Sequence, residues 1–361
     1  MIQSAYIHIP FCEKICAYCD FFRCGYNPIL VHKWLKMILQ EIADHKLHSL
    51  KTLYIGGGTP SVLTNIHLET LLQSLSSSIT QDCEFTMEAN VSHLTKEKLQ
   101  LMKQYGINRI SLGVQCFNDE ILQRIGRTHT LNDVIDCINR IHEIGIHNIS
   151  IDLIYGLPNQ SFDIWKKDLA LAIQLPISHI SLYALTIETN SRFAREHVST
   201  IDASLDADMY EYACKYLSEH GFEQYEISSF ARNQQYSQHN LAYWNYDDFY
   251  GIGCGASGKM HHMRYDNTKN FMTYLQKGAS PEYIPLSKSD EQFEMIMMSL
   301  RKKKGLKRSL YQKRFDHDVY EDYQMMIDEH IKKGNIILDD DYMYASEKGF
   351  PILNDILVDF L

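Results

Sequence analysis

A run of about 18 consecutive apolar residues, the length a membrane-crossing helix needs, occurs nowhere in the 361-residue chain. The first residues, MIQSAYIHIPFC, have neither a basic start nor an apolar core, so a secretory leader is not expected. Basic residues are in short supply: 35 Lys and Arg face 45 Asp and Glu, a formal charge of −10. A chain that acidic does not coat nucleic acid through general electrostatics. No Gly-x-Gly-x-x-Gly follows the first strand-like run, which argues against a doubly wound dinucleotide-binding sheet. Nine cysteines, an odd number in a long chain without a leader, do not suit a disulfide framework. The expected compartment is the reducing cytoplasm. Apolar residues at 45% and charged residues at 22% suit a chain that buries a sizeable core.

What is present is an alternation of strands and helices. Short β-branched or aromatic runs predict parallel strands at 5–9, 52–55, 84–88, 109–114, 148–154 and 179–184, and a seventh at 224–228. Helical spacing of apolar residues connects them at 30–42, 68–75, 164–173 and 203–220. The fold class expected is α/β, an incomplete parallel (β/α)6 barrel, because six units fall short of the eight of a complete one. It should occupy residues 1–232. Residues 233–280, polar and aromatic with clustered glycines, read as an irregular linking segment. Residues 281–361 read as a smaller helical, winged-helix-like domain: helices at 293–300, 310–315 and 320–331, a hairpin of 336–338 and 342–345, then a last helix from Pro351. The basic run Arg301 to Lys304 reads as a solvated helix end.

The chemistry concentrates after the first strand, where Cys12, Cys16 and Cys19 are spaced Cys-x3-Cys-x2-Cys. Three thiolates on one loop can converge on one metal centre. They suit a [4Fe–4S] cluster with one iron left for a further ligand. Structural zinc with the help of Cys24, and unligated buried thiols, are the alternatives. Gly56-Gly57-Gly58-Thr59-Pro60-Ser61 closes the second strand, where glycines let the backbone approach a ligand. Glu88, Gln115 and Asp152 close the third, fourth and fifth strands. Polar side chains at successive strand ends of a parallel barrel face one mouth.

Together these residues resemble the radical S-adenosylmethionine (SAM) superfamily, and within it the branch of the oxygen-independent coproporphyrinogen III oxidases. The resemblance implies a [4Fe–4S] cluster on Cys12, Cys16 and Cys19 whose free iron takes SAM, with Tyr6, Gly57 and Glu88 in contact with it. It further implies that Tyr18, Gly58, Thr59, Gln115, Arg127, Asp152 and Ala184 match positions that bind a second SAM in the oxidases. Two departures stand out. Phe21 occupies the place of a further oxidase cysteine, and the long N-terminal arm of the oxidases is not seen before Cys12. Both features are similar to the HemW-type heme chaperones, whose His-Asn-x-x-Tyr-Trp pattern is matched by His239-Asn240-Leu241-Ala242-Tyr243-Trp244. By that resemblance His239 is a candidate axial ligand for heme, with Tyr243 and Trp244 stacking on or covering the porphyrin. Val91, Cys116 and Ser229 replace the residues usual in that group, beside the motifs rather than in them.

The implied function is heme trafficking: a protein binding heme, a [4Fe–4S] cluster and SAM, and delivering heme to hemoproteins such as respiratory enzymes. An electron donor, homodimerisation and transient docking on a membrane belong to the same expectation. The alternative is oxidative decarboxylation of coproporphyrinogen III with the same cofactors.

Overall fold

In a computed structural model describing residues 1–361, six strands form where they are expected: β1 Ser4–Ile9, β2 Leu50–Gly57, β3 Ile79–Ala89, β4 Arg109–Gln115, β5 Asn148–Tyr155 and β6 His179–Ala184. They pair in parallel in chain order. The connecting helices are α1 Pro28–His45, α2 Asn65–Leu75, α3 Lys96–Gln104, α4 Asp119–Ile125, α5 Leu131–Glu143, α6 Phe162–Ala172 and α7 Ala203–Glu219. Each starts where a short polar side chain can accept from a first-turn N–H: Asn27, Thr64, Thr95, Asn118, Thr130, Ser161 and Asp202.

The seventh expected strand is a reversal instead. Glu223–Gln224 (β7) and Ser229–Ala231 (β8) pair antiparallel, and β8 pairs antiparallel with β6. The buried Glu226 carboxylate accepts the Ser228 N–H at 3.1 Å and holds the turn between them. The seventh parallel strand comes from the segment expected to be irregular. Tyr250–Ile252 (β9) pairs with the free side of β1. The same segment forms helix Gln238–Trp244 (α8), the hairpin Ser257–Met260 (β10) and Met263–Asp266 (β11), and helix Phe271–Lys277 (α9). Glu282–Pro285 (β12) completes a small antiparallel sheet with the hairpin. Its glycines serve close approach rather than loop freedom. A Cβ on Gly251 would meet the Ser257 carbonyl oxygen at 1.8 Å, and one on Gly258 the Tyr265 ring at 2.2 Å.

The main sheet runs β9-β1-β2-β3-β4-β5-β6-β8-β7, and its two edges do not pair with each other, so the barrel is open. Its two faces differ. Ile7, Leu53, Ile55, Phe85, Met87, Ile110, Leu112, Ile151 and Leu153 are fully buried against the helices. The other face carries Tyr6, His8, Thr52, Tyr54, Glu84, Thr86, Glu88, Arg109, Ser111, Ser150, Asp152, His179 and Ser181, aligned across the strands by the register. The strands thus alternate, apolar outward and polar inward, with period two.

Beyond β12, helices Lys288–Leu300 (α10), Arg308–Phe315 (α11) and Val319–Lys332 (α12) pack with strands Leu306–Lys307 (β13), Ile336–Leu338 (β14) and Tyr342–Ala345 (β15) around Leu300, Tyr311, Phe315, Ile327, Met343 and Phe350. The basic run is packed rather than solvated. Arg301 lies over the Trp244 ring at 5.5 Å, and Lys303 pairs with Glu347 at 3.0 Å.

Glu41 of α1 secures the edge strand. Its buried carboxylate accepts from the Gly253 N–H (3.0 Å), Asn267 Nδ2 (2.9 Å) and the Tyr274 hydroxyl (2.7 Å). Glu41→Ala strands two buried donors, the Gly253 N–H and the Tyr274 hydroxyl, each worth about 1–3 kcal/mol when left unpaired, while Asn267 Nδ2 keeps the Gly251 and Gly253 carbonyl oxygens. With partial relaxation, urea denaturation should show a loss of about 3 kcal/mol; a loss below about 1 kcal/mol would mean that the edge strand is held by other contacts.

Candidate functional site

The C-terminal ends of β2 to β6 converge on one cavity of about 330 Å³. Strands about 4.8 Å apart in a flat sheet would spread these five ends over about 19 Å. Sharing one cavity requires the sheet to curve. Cys12, Cys16 and Cys19 form part of the wall, and Tyr18, Gly57, Gly58, Thr59, Glu88, Gln115, Arg127, Asp152 and Ala184 supply much of the rest. Of the residues expected around a cluster and SAM, Tyr6 alone stands back from this lining, its hydroxyl bonded to His8 Nδ1 at 3.1 Å.

The three thiols are free, and no three His, Cys, Asp or Glu side chains are gathered tightly enough to hold one metal ion. The sulfurs share a wall rather than a point. Thr59 Oγ1 donates to Cys12 Sγ at 3.5 Å. Burial raises the Cys12 thiol, and it raises Cys19 to about 11, partly offset by the Arg23 guanidinium. A metal centre would displace those protons. Three soft sulfur donors on one wall, with the positive charges of Arg23 and Arg127 to offset thiolates, suit an iron–sulfur cluster. Cys24 pairs its strand with Phe11–Cys12 and packs against the main core, outside the cavity lining.

The glycine run has a packing reason. A Cβ on Gly56 would come within 2.9 Å of the Glu88 carboxyl, one on Gly57 (φ +111°) within 2.7 Å of the His8 ring, and one on Gly58 within 2.7 Å of the Phe11 carbonyl oxygen. The run seats Glu88, His8 and the cysteine loop, and Gly57 and Gly58 also face the cavity. Gln115 takes a left-handed φ of 74° at an irregularity in the β4–β5 pairing, a conformation that costs about 1–3 kcal/mol in a non-glycine residue.

Two strand-end carboxylates face the space, with the exposed Asp20 and Glu188 at its rim. Glu88 accepts from the Tyr54 hydroxyl (2.8 Å) and the Gly57 N–H (3.1 Å). Burial pushes it up to about 7, the Tyr54 bond opposing and the Asp152 charge adding to the rise. Asp152 accepts from Ser111 Oγ at 3.3 Å and is pushed by burial up to about 6, with Ser181 and Arg109 opposing. Arg127 donates to Asn90 Oδ1 and, at 3.4 Å, to the Tyr18 hydroxyl, while its buried Nε has no partner. Asn90, Ser111 and Tyr183 also line the cavity and were not singled out from the sequence. Ser111 could have been found from pairing, since it stands opposite Glu88 in register.

The residues expected to hold heme are not brought to this cavity. His239 is 1% exposed, with Nδ1 bonded to Thr52 Oγ1 (3.0 Å) and Nε2 to the Tyr243 hydroxyl (2.8 Å). Burial, with Arg109 adding, lowers its pKa to about 3, so it is neutral. With both nitrogens engaged inside the barrel, it presents no lone pair to an iron in this conformation. The Tyr243 ring borders a separate cavity of about 180 Å³ with Tyr246, Phe249, Met297 and Met298. Trp244 lies beneath Arg301, its indole N–H unpartnered.

The radical SAM superfamily model matches residues 6–172, and the HemN C-terminal domain model matches residues 286–352. Over 99% of its length the chain is 36% identical to the heme chaperone HemW of Lactococcus lactis, of which it covers 97%. It is 34% identical to the Bacillus subtilis heme chaperone HemW over 100% of this chain and 99% of that one. Identity to the Escherichia coli heme chaperone HemW is 32%, over 99% and 98%. Among solved structures, the fold is similar to that of E. coli coproporphyrinogen III oxidase (HemN), with a TM-score of 0.87, 22% identity, and coverage of 99% of this chain and 90% of that one. The α/β partial barrel with a smaller C-terminal part is therefore the fold expected from the sequence.

The raised carboxyls give a pH test. Glu88 and Asp152 have folded pKa values of about 7 and about 6, above their ordinary values of 4.5 and 3.8, so the folded chain holds the extra protons. Their contribution to stability is greatest below about pH 4 and is lost as pH rises through 6 to 7. Glu88→Gln should gain on the order of 1–2 kcal/mol over wild type between pH 5 and pH 8 in denaturation of the apoprotein, because a pKa unit is about 1.4 kcal/mol and the cavity side of the group is wetted. A pH-independent difference between the two would show that Glu88 titrates normally.

Proposed function

The chain belongs to the HemW family within the radical SAM superfamily, and from that membership we propose that it is a heme chaperone whose cavity holds a [4Fe–4S] cluster and SAM. Cys12, Cys16 and Cys19 would ligate the cluster. Gly57 and Glu88 would hold the SAM on it, with Tyr6 supporting from the layer behind. Tyr18, Gly58, Thr59, Gln115, Arg127, Asp152 and Ala184 border the remaining space, where a second SAM or another carboxylate-bearing molecule would sit. Such a cluster, when bound, supplies an electron for reductive cleavage of the SAM sulfonium. The chain's own part is positional. The Arg127 guanidinium, part of the cavity lining, can pair with a carboxylate. Glu88, close to half-ionised at neutral pH, can accept from an ammonium group.

The observation that carries the heme reading is the lip of the cavity. Phe21, where the oxidases have a cysteine, is 65% exposed there, beside Ile15 at 45% and Tyr183 at 47%. Three large apolar side chains held in water at one rim suit a flat apolar partner. A porphyrin face is such a partner, and Lys14 on the same rim could take a propionate. Heme is then the cargo, respiratory hemoproteins are the acceptors, and an electron donor serves the cluster. Cytoplasmic location, dimerisation and transient membrane docking belong to the same reading; no helix is long and apolar enough to cross a membrane.

Titration with hemin, followed by transfer to an apo-hemoprotein, tests this. Wild type should bind and hand over heme, and Phe21→Asp should weaken binding about tenfold or more, the equivalent of about 1.4 kcal/mol of lost apolar contact. Unchanged affinity in Phe21→Asp would refute the lip as the site. Protoporphyrinogen formed over many turnovers from coproporphyrinogen III, SAM and reductant under anaerobic conditions would favour the oxidase alternative.

A further inference from the structure

We propose that His239 is a positioning residue for the cofactor cavity: packed on Tyr54 inside the barrel, it fixes the hydroxyl that orients Glu88 at the cavity wall. This rests on the reading that the cavity takes SAM. Helix α8 enters the concave side of the sheet from the end opposite the cavity. The Glu84 carboxylate near the start of the paired part of β3 accepts the N–H groups of Gln238 (3.1 Å) and His239 (3.0 Å), and Ser237 Oγ accepts from the Asn240 N–H. The backbone that carries His239 is thereby anchored to the sheet.

The imidazole is fixed in plane as well. Its bonds to Thr52, two residues before Tyr54 on β2, and to Tyr243 leave the ring no rotation. It stacks on Tyr54 with centroids 5.1 Å apart and planes at 28°, while the Tyr243 ring closes its other flank at 4.7 Å and 73°. Tyr54 is otherwise bordered by the Tyr6 ring at 6.0 Å. Its hydroxyl is one of the two donors that set the Glu88 carboxylate, the other being the Gly57 N–H. Removing the imidazole opens space beside Tyr54, and a ring free to swing no longer delivers that hydroxyl. The motif at residues 239–244 therefore serves the cavity from beneath.

A double-mutant cycle on cluster-reconstituted protein, with SAM affinity read by calorimetry and stability by thermal midpoint, tests the assignment. Tyr54→Phe and His239→Ala should each weaken SAM binding about tenfold, and the double variant should be no weaker than the worse single, because His239 acts through Tyr54. His239→Gln, which keeps polar partners for Thr52 and Tyr243 but loses the stack, should regain thermal midpoint without regaining SAM affinity. Hemin affinity should stay unchanged throughout. Wild-type SAM affinity in His239→Ala or His239→Gln, or additive losses in the double variant, would overturn the proposal. Should His239→Ala fail to fold, an unchanged affinity in Tyr54→Phe overturns it equally. Wild-type protein that binds no SAM would instead bring down the cavity reading, and this proposal with it.

Discussion

Most polar groups on the concave face of the sheet find their partners inside the protein, the Thr86 hydroxyl and Arg109 Nε being exceptions, and the architecture follows from how that is met. At one end the partners come from the segment after β8. His179 bonds Ser150 at 2.8 Å and Tyr225 at 2.9 Å, and Tyr225 in turn accepts the Ser237 N–H at 3.1 Å. Thr52 and Glu84 are satisfied by α8. A buried polar network of this kind is stable only when nearly complete, since each unpaired member carries its full desolvation cost. At the other end nothing fills the barrel. The groups that remain there, with the Arg127 guanidinium in the lining and two carboxyls held above their ordinary pKa by burial, are the ones a ligand can satisfy.

The same constraint sets the electrostatics of the cavity. The cysteine loop brings future negative charge to a wall already carrying Glu88 and Asp152, and Arg23 and Arg127 are the counterweights. A cationic sulfonium cofactor with both amino and carboxylate ends, as proposed for this cavity, would meet acceptors and a guanidinium within one small space. Outside the barrel the sheet is an ordinary apolar layer under helices, so stability and chemistry are carried by opposite faces of the same strands.

Much of this was legible before any coordinates. Strands β1 to β6 announce themselves through β-branched runs closed by glycine or polar residues, and the cysteine spacing, glycine run and strand-end residues Glu88, Gln115 and Asp152 mark one mouth. What escaped depends on pairing across the sheet. Tyr54 and Ser111 matter because the register sets them near Glu88, and a linear sequence does not display register. Strands β9 and β10 were hidden because Gly251 and Gly258 look like loop residues, although each is there to let backbone or ring pass close by. The 224–228 run has strand composition, yet Glu226 turns its side chain back onto the chain and reverses it. His239 was recognised by type and spacing, which say nothing of the direction in which the ring points.

The central claim is that curvature of one parallel sheet gathers three thiols and the strand-end polar groups around a single cluster-and-SAM cavity. Electron paramagnetic resonance of the reduced, anaerobically reconstituted protein, recorded with and without SAM, tests it most directly. The account predicts a [4Fe–4S] signal that is lost in Cys16→Ala and that shifts when SAM is added to the wild type. A protein that assembles no such cluster, or one whose spectrum is indifferent to SAM, would contradict it.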